Sequence, residues 1–275
     1  MNDLVYNIKN ISYRYNSEVA ALNDVSFSVA RGSRVAIMGA NGSGKSTLLR
    51  ILDGLYFPDK GTVQVFGENL NEEHLQDEAF AFRFRQRVAL VFQNPDVQLF
   101  NPTVFDEIAF GPLQMRWPKE QIRQKVDEML NLFEIKHLKD RSPHRLSGGE
   151  KKRVALASVL ILDPEVLLMD EPTAALDPKS QSMVIDFLSG WANSGKTVIT
   201  TTHDLSSVAE IADHCLIFQR GKLVTQGAPT AILSDTTLLE QTNLIHAHRH
   251  SHDSQGVHSH PHLHVGHEHP HEAKI

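Results

Sequence analysis

The chain has 275 residues, and its 41% hydrophobic content is enough for a substantial core in one large domain or two small ones. A single cysteine excludes an internal disulfide and a Cys-x-x-Cys metal site, which fits a reducing compartment. The formal net charge of -6, without a long block of lysine and arginine, argues against nucleic acid as the main partner. We expect no signal peptide, because residues 1–10 mix charged residues with apolar ones. We expect no membrane span, because no apolar run reaches ~18 residues.

Two strands are predicted at the start of the chain, at residues 4–15 and 21–29, where apolar residues flank a turn-rich break. They would form a β layer beside a bound nucleotide. Tyr13 and Tyr15 alternate with polar residues in the first strand, so either ring could stack on adenine or pack in a core.

A glycine-rich loop at residues 39–46 matches the phosphate-binding pattern G-x-x-x-x-G-K-[ST]. It lies between an apolar strand predicted at residues 35–38 and a helix predicted at residues 45–52, as that pattern requires. Backbone N–H groups of such a loop, with the helix N-terminus, hold phosphate. We expect Lys45 to reach the β- and γ-phosphates and Ser46 to bind Mg²⁺. The predicted nucleotide contacts here are Gly39, Asn41, Gly42, Ser43, Gly44, Lys45, Ser46 and Thr47.

The middle of the chain is predicted to change from strands to helices. Strands are expected at residues 61–66 and 87–92, with a polar linker between them. Prolines then punctuate short segments before one clear helix at residues 119–133. The buried stripe of this helix is expected to contain Ile122, Val126, Met129, Leu130 and Phe133. We interpret about residues 94–160 as a helical subdomain.

Two carboxylates, Asp170 and Glu171, follow an apolar strand predicted at residues 165–169. Open α/β sheets bind ligands at the carboxyl ends of their strands. Asp170 is suited to holding Mg²⁺, and Glu171 is suited to taking a proton from an attacking water. Two acids at a strand end are also common as simple caps, so the pair gains weight from Lys45 and Ser46.

The alternation of strands with helices predicts an α/β fold with a parallel sheet of the doubly wound type. A further strand is expected at residues 197–202. Residues 216–219 and 222–225 are expected to form a closing hairpin.

A second anion site is predicted at residues 146–150, Leu-Ser-Gly-Gly-Glu, which precede a helix expected at residues 151–162. Ser147 and the N–H groups of Gly148 and Gly149 would form it. This segment resembles the signature of ATP-binding-cassette (ABC) ATPases, and the other motifs of that family are present in order. Those motifs are the Mg²⁺-sensing glutamine (Gln93), the D-loop (Ala175, Leu176 and Asp177), the switch histidine (His203) and the adenine-stacking aromatic, for which Tyr15 matches better than Tyr13.

The resemblance covers roughly residues 3–235 and implies a P-loop NTPase fold with a RecA-like core, an N-terminal antiparallel β subdomain and a helical subdomain. It implies that ATP and Mg²⁺ are bound. The implied catalytic residues are Glu171, His203, Gln93 and Lys45, and the implied Mg²⁺ ligands are Ser46, Gln93 and Asp170. Taken singly, Gln93 could cap a strand and His203 could be a core histidine. Ala175 departs from the glycine of many relatives.

In this family two cassettes pair head to tail, so that ATP on the loop of one is covered by the signature of the other. The chain carries one of each motif, and we therefore expect a second copy or a close relative as its partner. Residues 92–100, 106–112 and 140–144 are similar to the ATPase component of energy-coupling-factor importers. That similarity implies integral-membrane coupling and substrate-binding partners and a peripheral position on the cytoplasmic face of the cell membrane. The plainer interpretation of these residues is packing within the subdomain.

Residues 236–245 are interpreted as a linker and residues 246–275 as a tail without fixed structure, since the tail holds few large apolar residues. Eleven of the sixteen histidines lie in it. Histidines two apart in an extended chain face the same way, and imidazole suits Ni²⁺ and Co²⁺. The candidate ligands are His246, His248, His250, His252, His258, His260, His262 and His264. A purification tag and a solvated spacer are the alternatives.

Together these features predict an ATP-hydrolysing subunit that energises an importer of cobalt or nickel ions. One alternative keeps the importer but changes its cargo to a vitamin or zinc. The other is a soluble cassette ATPase of DNA repair or translation, although the coiled-coil insert or second cassette of those classes is not found in the sequence.

Overall fold

The computed structural model describes residues 3–16, 18–174, 176–192, 194–251 and 257–262. Its strands are β1 (Leu4–Tyr15), β2 (Val19–Ala30), β3 (Arg34–Met38), β4 (Lys60–Val65), β5 (Glu68–Asn69), β6 (Val88–Val91), β7 (Val166–Asp170), β8 (Thr197–Thr202), β9 (His214–Gln219), β10 (Lys222–Gly227), β11 (His246–Ser251) and β12 (Val257–His262). Its helices are α1 (Lys45–Leu52), α2 (Glu72–Gln76), α3 (Glu78–Arg87), α4 (Val104–Gln114), α5 (Lys119–Leu132), α6 (Gly148–Leu160), α7 (Pro178–Ala192), α8 (Leu205–Ile211), α9 (Pro229–Ser234) and α10 (Thr236–Gln241).

A six-stranded sheet in the order β10-β9-β3-β8-β7-β6 forms the centre of the fold. All neighbours pair in parallel except β10, which closes the sheet as an antiparallel hairpin with β9. Both faces are covered, as parallel sheets require: Val35 and Ile37 of β3 join one apolar cluster, and Ala36 and Met38 join the other. The predicted α/β class and closing hairpin are confirmed.

Strand pairing brings three sequence motifs to one edge of this sheet. Met38 at the end of β3 pairs with Thr202 at the end of β8, and Asp170 at the end of β7 pairs with Thr201. The residues that follow these strands are therefore neighbours in space, although they lie far apart in the chain. The phosphate loop, the two carboxylates and His203 all begin here.

A second sheet, in the order β2-β1-β4-β5, is antiparallel and packs on the side of α1. Its buried residues share one apolar cluster with Leu48 and Leu52 of α1. The Tyr6 hydroxyl also donates to the Leu52 carbonyl at 2.8 Å. The predicted N-terminal β layer is confirmed, and it packs against the helix that follows the phosphate loop.

The polar linker predicted between residues 66 and 87 is wrong. This segment contains helices α2 and α3, capped by the side chains of Asn71 and Asp77. Phe80 and Phe84 are buried four residues apart, whereas Phe82 between them is 41% exposed. Because the three phenylalanines alternate with other residues, their spacing conceals the helical face.

The helix predicted at residues 119–133 is confirmed as α5, and its apolar stripe is buried except for Met129, which is half-buried. The helix after the signature starts at Gly148 and ends at Leu160, not at 151 and 162. Ser147 is its N-cap, and Ser147 and Glu150 form a reciprocal capping box. The capping box therefore places the glycines of the signature in the first turn.

Helix α10 occupies most of residues 236–245, the segment predicted to be a linker. Asp235 caps this helix, and Leu239 and Ile245 are buried in the cluster that covers one face of the central sheet. After it, β11 and β12 pair antiparallel, whereas the tail was expected to lack regular structure. None of the helices within the described ranges is long and apolar enough to cross a membrane.

A buried carboxylate, Asp53, lies directly after α1. Arg85 donates to the Asp53 carbonyl at 2.8 Å, and its Nη1 lies 3.5 Å from Asp53 Oδ2. Burial raises the pKa of the Asp53 carboxyl to about 7, and the charge of Arg85 opposes part of that rise. Ionising Asp53 is therefore costly for the folded state.

Replacing Asp53 with Asn should stabilise the fold at alkaline pH and have little effect at acid pH. The unfolded carboxyl ionises near 3.8, whereas the folded one keeps its proton up to about 7. Between these values the free energy of unfolding of the native chain falls as pH rises, by at most about 4 kcal/mol from this group. Urea unfolding of both proteins across this range measures the difference. An advantage of the variant that is the same at both ends would contradict the ionisation argument.

Candidate functional site

The phosphate loop is shaped by glycines that no other residue could replace. Gly39 has φ 155°, and a Cβ there would lie 2.3 Å from the Phe218 carbonyl oxygen. Gly44 has φ 103°, and a Cβ there would lie 2.5 Å from the Ala21 carbonyl oxygen. The loop backbone therefore packs directly on β9 and β2, and side chains are excluded by both space and conformation.

The polar groups of this loop fit a bound polyphosphate. Ser43 is buried, and its hydroxyl has no hydrogen-bond partner among the described residues. Buried hydroxyls ordinarily have a partner, and this one lies in a glycine-rich turn at a helix N-terminus, where phosphate oxygens are accepted. Thr47, one turn later, is bonded through Oγ1 to the Tyr15 hydroxyl at 2.8 Å. Asn41 and Gly42 also lie in this turn.

Lys45 places its ammonium between the loop and the carboxylates. Nζ donates to the carbonyls of Gly39 at 2.8 Å and Ala40 at 3.3 Å, and it lies 3.8 Å from Glu171 Oε1. Burial lowers the pKa of Lys45, and the charges of Glu171 and Asp170 oppose that effect. A cation held in this way is suited to anionic phosphate oxygens.

Oxygen ligands suited to Mg²⁺ meet beside Lys45. The Ser46 hydroxyl donates to Asp170 Oδ1 at 3.1 Å, and the Thr201 hydroxyl donates to the same oxygen at 2.6 Å. A hydroxyl and a carboxylate are the hard ligands that Mg²⁺ prefers, so the donor set fits this ion. Thr201 was not predicted, since only the pairing of β7 with β8 brings it to Asp170.

Glu171 contacts three other residues predicted to be catalytic: His203, Gln93 and Lys45. Its Oε1 lies 3.1 Å from His203 Nδ1, and its Oε2 accepts from Gln93 Nε2 at 3.2 Å. Its backbone has φ 43° and its N–H donates to Thr201 Oγ1 at 2.9 Å. The strained backbone and the bonds to both oxygens fix the direction of a carboxylate that is only 8% exposed. The structure therefore brings together the four residues predicted to be catalytic.

Tyr15 belongs to a cluster of three tyrosines. Its ring meets Tyr13 edge-on with centroids 5.2 Å apart, and Tyr13 stacks on Tyr56 at 5.3 Å. Arg50 lies over the Tyr56 ring, 5.6 Å from its centroid. Tyr56 was not predicted, because it lies in an irregular segment far from Tyr15 in the chain. The role of Tyr15 in stacking on adenine stays a prediction.

The signature residues Ser147, Gly148 and Gly149 form the N-cap and first turn of α6. A Cβ on Gly149 would lie 3.0 Å from Ser180 Oγ and 3.7 Å from Asp177 Oδ2, so the signature packs against the start of α7. Within the described parts of the chain, no hydrogen bond or ion pair joins residues 147–150 to residues 39–46. Ala175 lies outside the described residues.

Six of the tail histidines are paired by the backbone register of β11 and β12. His246 pairs with His262, His248 with His260, and His250 with His258 across β11 and β12. These six residues share one face of the hairpin, because positions two apart in a strand face the same way. His252 and His264 lie outside the described residues, so their predicted role as ligands stays a prediction.

Known proteins resemble this chain over most of its length. A model of the ABC transporter family matches residues 22–174. A nickel import ATP-binding protein of Rhodobacter capsulatus is 52% identical over 243 residues, 87% of this chain and 95% of that protein. An energy-coupling factor transporter ATP-binding protein of Carboxydothermus hydrogenoformans is 42% identical, over 88% of this chain and 87% of that protein.

Solved structures share the fold. The structure of cbiO1 from Clostridium perfringens, part of the ABC transporter complex cbiONQ, has a TM-score of 0.74 and 34% identity, covering 88% of this chain and 95% of that one. A dimeric ATP-binding cassette in a post-hydrolysis state with ADP and Pi has a TM-score of 0.73 and 28% identity, covering 82% of this chain and 98% of that one.

Proposed function

Because this chain belongs to the ABC transporter family and is one of its ATPases, we propose that it hydrolyses ATP to energise a membrane importer of nickel or cobalt ions. The observation that carries the hydrolytic role is Glu171, a buried carboxylate held through both oxygens beside Lys45 and the phosphate loop. The metal cargo is supported by the similarity to a nickel import protein and by the histidine-rich tail.

The catalytic roles follow from this geometry. Lys45 and the loop N–H groups hold the β- and γ-phosphates, and Glu171 accepts the proton of the attacking water. Gln93 and His203 contact the two oxygens of Glu171. These contacts fix the orientation of the carboxylate that receives the proton. General-base assistance of this kind contributes about 10²- to 10⁴-fold to the rate.

Ser46, Asp170 and Gln93 are the residues that would hold Mg²⁺, and Mg²⁺ neutralises charge on the transferring phosphoryl group when bound. Thr201 supports this role, since its hydroxyl fixes Asp170 Oδ1 and also accepts the Glu171 N–H. One threonine thus holds both the carboxylate of Asp170 and the backbone of Glu171.

The active assembly is proposed to be a head-to-tail dimer, in which Ser147, Gly148 and Gly149 of one subunit cover the ATP on the loop of the other. The lack of any hydrogen bond or ion pair between these residues and the loop, within the described parts of one chain, supports this arrangement. We propose that the partner is a second copy of this chain, since each copy supplies one loop and one signature.

The membrane partner is proposed to dock on an apolar patch formed by Val97, Phe100, Phe110 and Leu113, which are 68%, 61%, 37% and 51% exposed. Phe100 and Phe110 pack edge-on with centroids 4.9 Å apart. Buried Glu107 accepts the N–H groups of Phe100 and Asn101 at 2.9 and 2.8 Å, which fixes the loop that presents Phe100. This contact would hold the chain at the cytoplasmic face of the membrane.

The histidine-rich tail is proposed to collect metal ions near the importer. The backbone register of β11 and β12 pairs His246 with His262, His248 with His260, and His250 with His258. Imidazole suits both Ni²⁺ and Co²⁺. The ions proposed as cargo are therefore ions that the histidines of the tail are suited to bind.

Removing residues 246–275 should leave ATP hydrolysis unchanged and weaken uptake at scarce metal by about tenfold or more. The tail lies outside the nucleotide site, and it would act only by raising the local metal concentration. Uptake of ⁶³Ni²⁺ and ⁵⁷Co²⁺ by cells with the membrane partners, over a range of metal concentrations, measures this. Equal uptake by both chains at every concentration would exclude a transport role for the tail.

Purification from native membranes tests the transporter assignment itself. We expect integral-membrane proteins to copurify with the chain, and we expect the assembly to take up Ni²⁺ or Co²⁺ in an ATP-dependent way. Uptake of a vitamin or Zn²⁺ alone would assign another cargo. A chain that hydrolyses ATP without any membrane partner would be a soluble cassette ATPase.

A further inference from the structure

The segment that follows β6, residues 92–98, is fastened to helix α6 by side chains that take no part in holding phosphate. Gln98 Nε2 donates to the Ala155 carbonyl at 2.9 Å and to Ser158 Oγ at 3.3 Å. Lys151 Nζ lies 2.7 Å from Asp96 Oδ1. We call this segment the glutamine loop, because it contains Gln93.

The backbone of Phe92 is held at both of its polar atoms. Its N–H donates to Gln98 Oε1 at 3.3 Å, and its carbonyl accepts from Lys152 Nζ at 3.1 Å. Lys152 belongs to α6 and is only 3% exposed. Burial lowers the pKa of Lys152 to about 8, and Asp170 opposes that effect. Burying an ammonium is costly unless it is hydrogen-bonded, so this contact is a specific feature of the site.

The contact between Lys152 and Phe92 joins the glutamine loop to the helix that begins with the signature. The residue after Phe92 is Gln93, which donates to Glu171. The first turn of α6 contains Ser147 to Gly149, which we place over the ATP of the partner subunit. A displacement of α6 therefore moves the Phe92 carbonyl through Lys152, and with it the amide that orients Glu171.

We infer that Lys152 is a positioning residue that couples closure of α6 over the partner's ATP to the placement of Glu171 in its own subunit. This inference rests on the proposed head-to-tail function. It gives each site of the dimer a physical connection to the other, made of one hydrogen bond at Phe92 and one at Glu171.

Replacing Lys152 with Met should lower kcat for ATP hydrolysis by about tenfold or more while leaving ATP affinity unchanged, because a charged hydrogen bond is lost but no phosphate contact. Lys152→Arg keeps a charged donor and should restore most of the activity. Lys125→Met is the matched control, since Lys125 is an exposed helical lysine paired with Glu128 of its own helix. An unchanged kcat in Lys152→Met, or a loss of ATP affinity that accounts for the whole effect, would overturn the inference.

Mixed dimers separate coupling from simple support of the signature helix. In each dimer one chain carries Glu171→Gln, so the single competent site uses Glu171 of the other chain. Adding Lys152→Met to the chain with the intact Glu171 should slow single-turnover hydrolysis by about tenfold or more, whereas adding it to the Glu171→Gln chain should leave the rate unchanged. The reverse pattern would show that Lys152 only supports the signature over its partner's ATP. Loss in both arrangements would likewise reject the coupling.

This design also separates the inference from the proposed function. A reference dimer with Glu171→Gln in one chain and no change at Lys152 must hydrolyse ATP at its intact site. If that dimer and the unmodified protein are both inactive, the proposed function fails. If both are active, the Lys152→Met arrangements test the coupling alone.

Discussion

A Glu171→Gln variant should bind ATP and hydrolyse it about 10²- to 10⁴-fold more slowly than the native chain. Glutamine has nearly the same shape, and its amide oxygen can still accept the hydrogen bond from Gln93, but it does not accept a proton from water. The phosphate loop and Lys45 are unchanged, so ATP remains bound and the closed dimer accumulates. Steady-state hydrolysis, ATP affinity and the mass of the ATP-bound species measure the three effects.

The control for this variant is Glu128→Gln. Glu128 is an exposed residue of α5 that bonds only to Gln124 and Lys125 among the described residues. Its replacement should leave all three quantities as they are. Full turnover by Glu171→Gln would remove Glu171 from the role of general base.

Lys45→Ala and Ser147→Arg should abolish hydrolysis in homodimers for different reasons. Lys45→Ala removes the charged donor to phosphate and should weaken ATP binding by about 10- to 100-fold. Ser147→Arg places a bulky charge at the start of α6, where the partner's ATP is proposed to lie, so its own ATP binding should be retained. Equilibrium binding of a fluorescent ATP analogue distinguishes the two.

Ser147→Ala separates the steric effect of Ser147→Arg from the loss of the helix cap. Both changes remove the side chain that accepts the Glu150 N–H, which costs about 1 kcal/mol at an N-cap. Only arginine adds bulk and charge. We expect Ser147→Ala to lose less hydrolytic activity than Ser147→Arg; equal losses in the two variants would point to an unfolded first turn.

Much of the nucleotide site is predictable from sequence, because its motifs are local. The loop that contains Lys45 and Ser46 is specified by glycine positions, and Asp170 and Glu171 follow an apolar run. The sheet then brings these segments together by a general rule, since the carboxyl ends of parallel strands share one edge. The α/β class, which is confirmed, can be predicted from the alternation of strands and helices alone.

The supporting residues are different, because long-range pairing places them. Thr201 reaches Asp170 only through the register of β7 and β8, and Tyr56 and Lys152 carry no motif of their own. Helix α3 was missed because its phenylalanines alternate with other residues and so conceal the helical face, and α10 because its short sequence looks like a linker. In each case tertiary packing selects the structure that the local pattern leaves open.

The head-to-tail site is tested most directly by mixed dimers of Lys45→Ala and Ser147→Arg. When each chain carries one change, both lesions fall on the same composite site, and the other site is left with a native loop and a native signature. When one chain carries both changes and its partner is native, each composite site contains one lesion. We predict single-turnover hydrolysis in the first dimer and none in the second. Hydrolysis in the second dimer and none in the first would show that each chain contains a complete site, and would contradict the account.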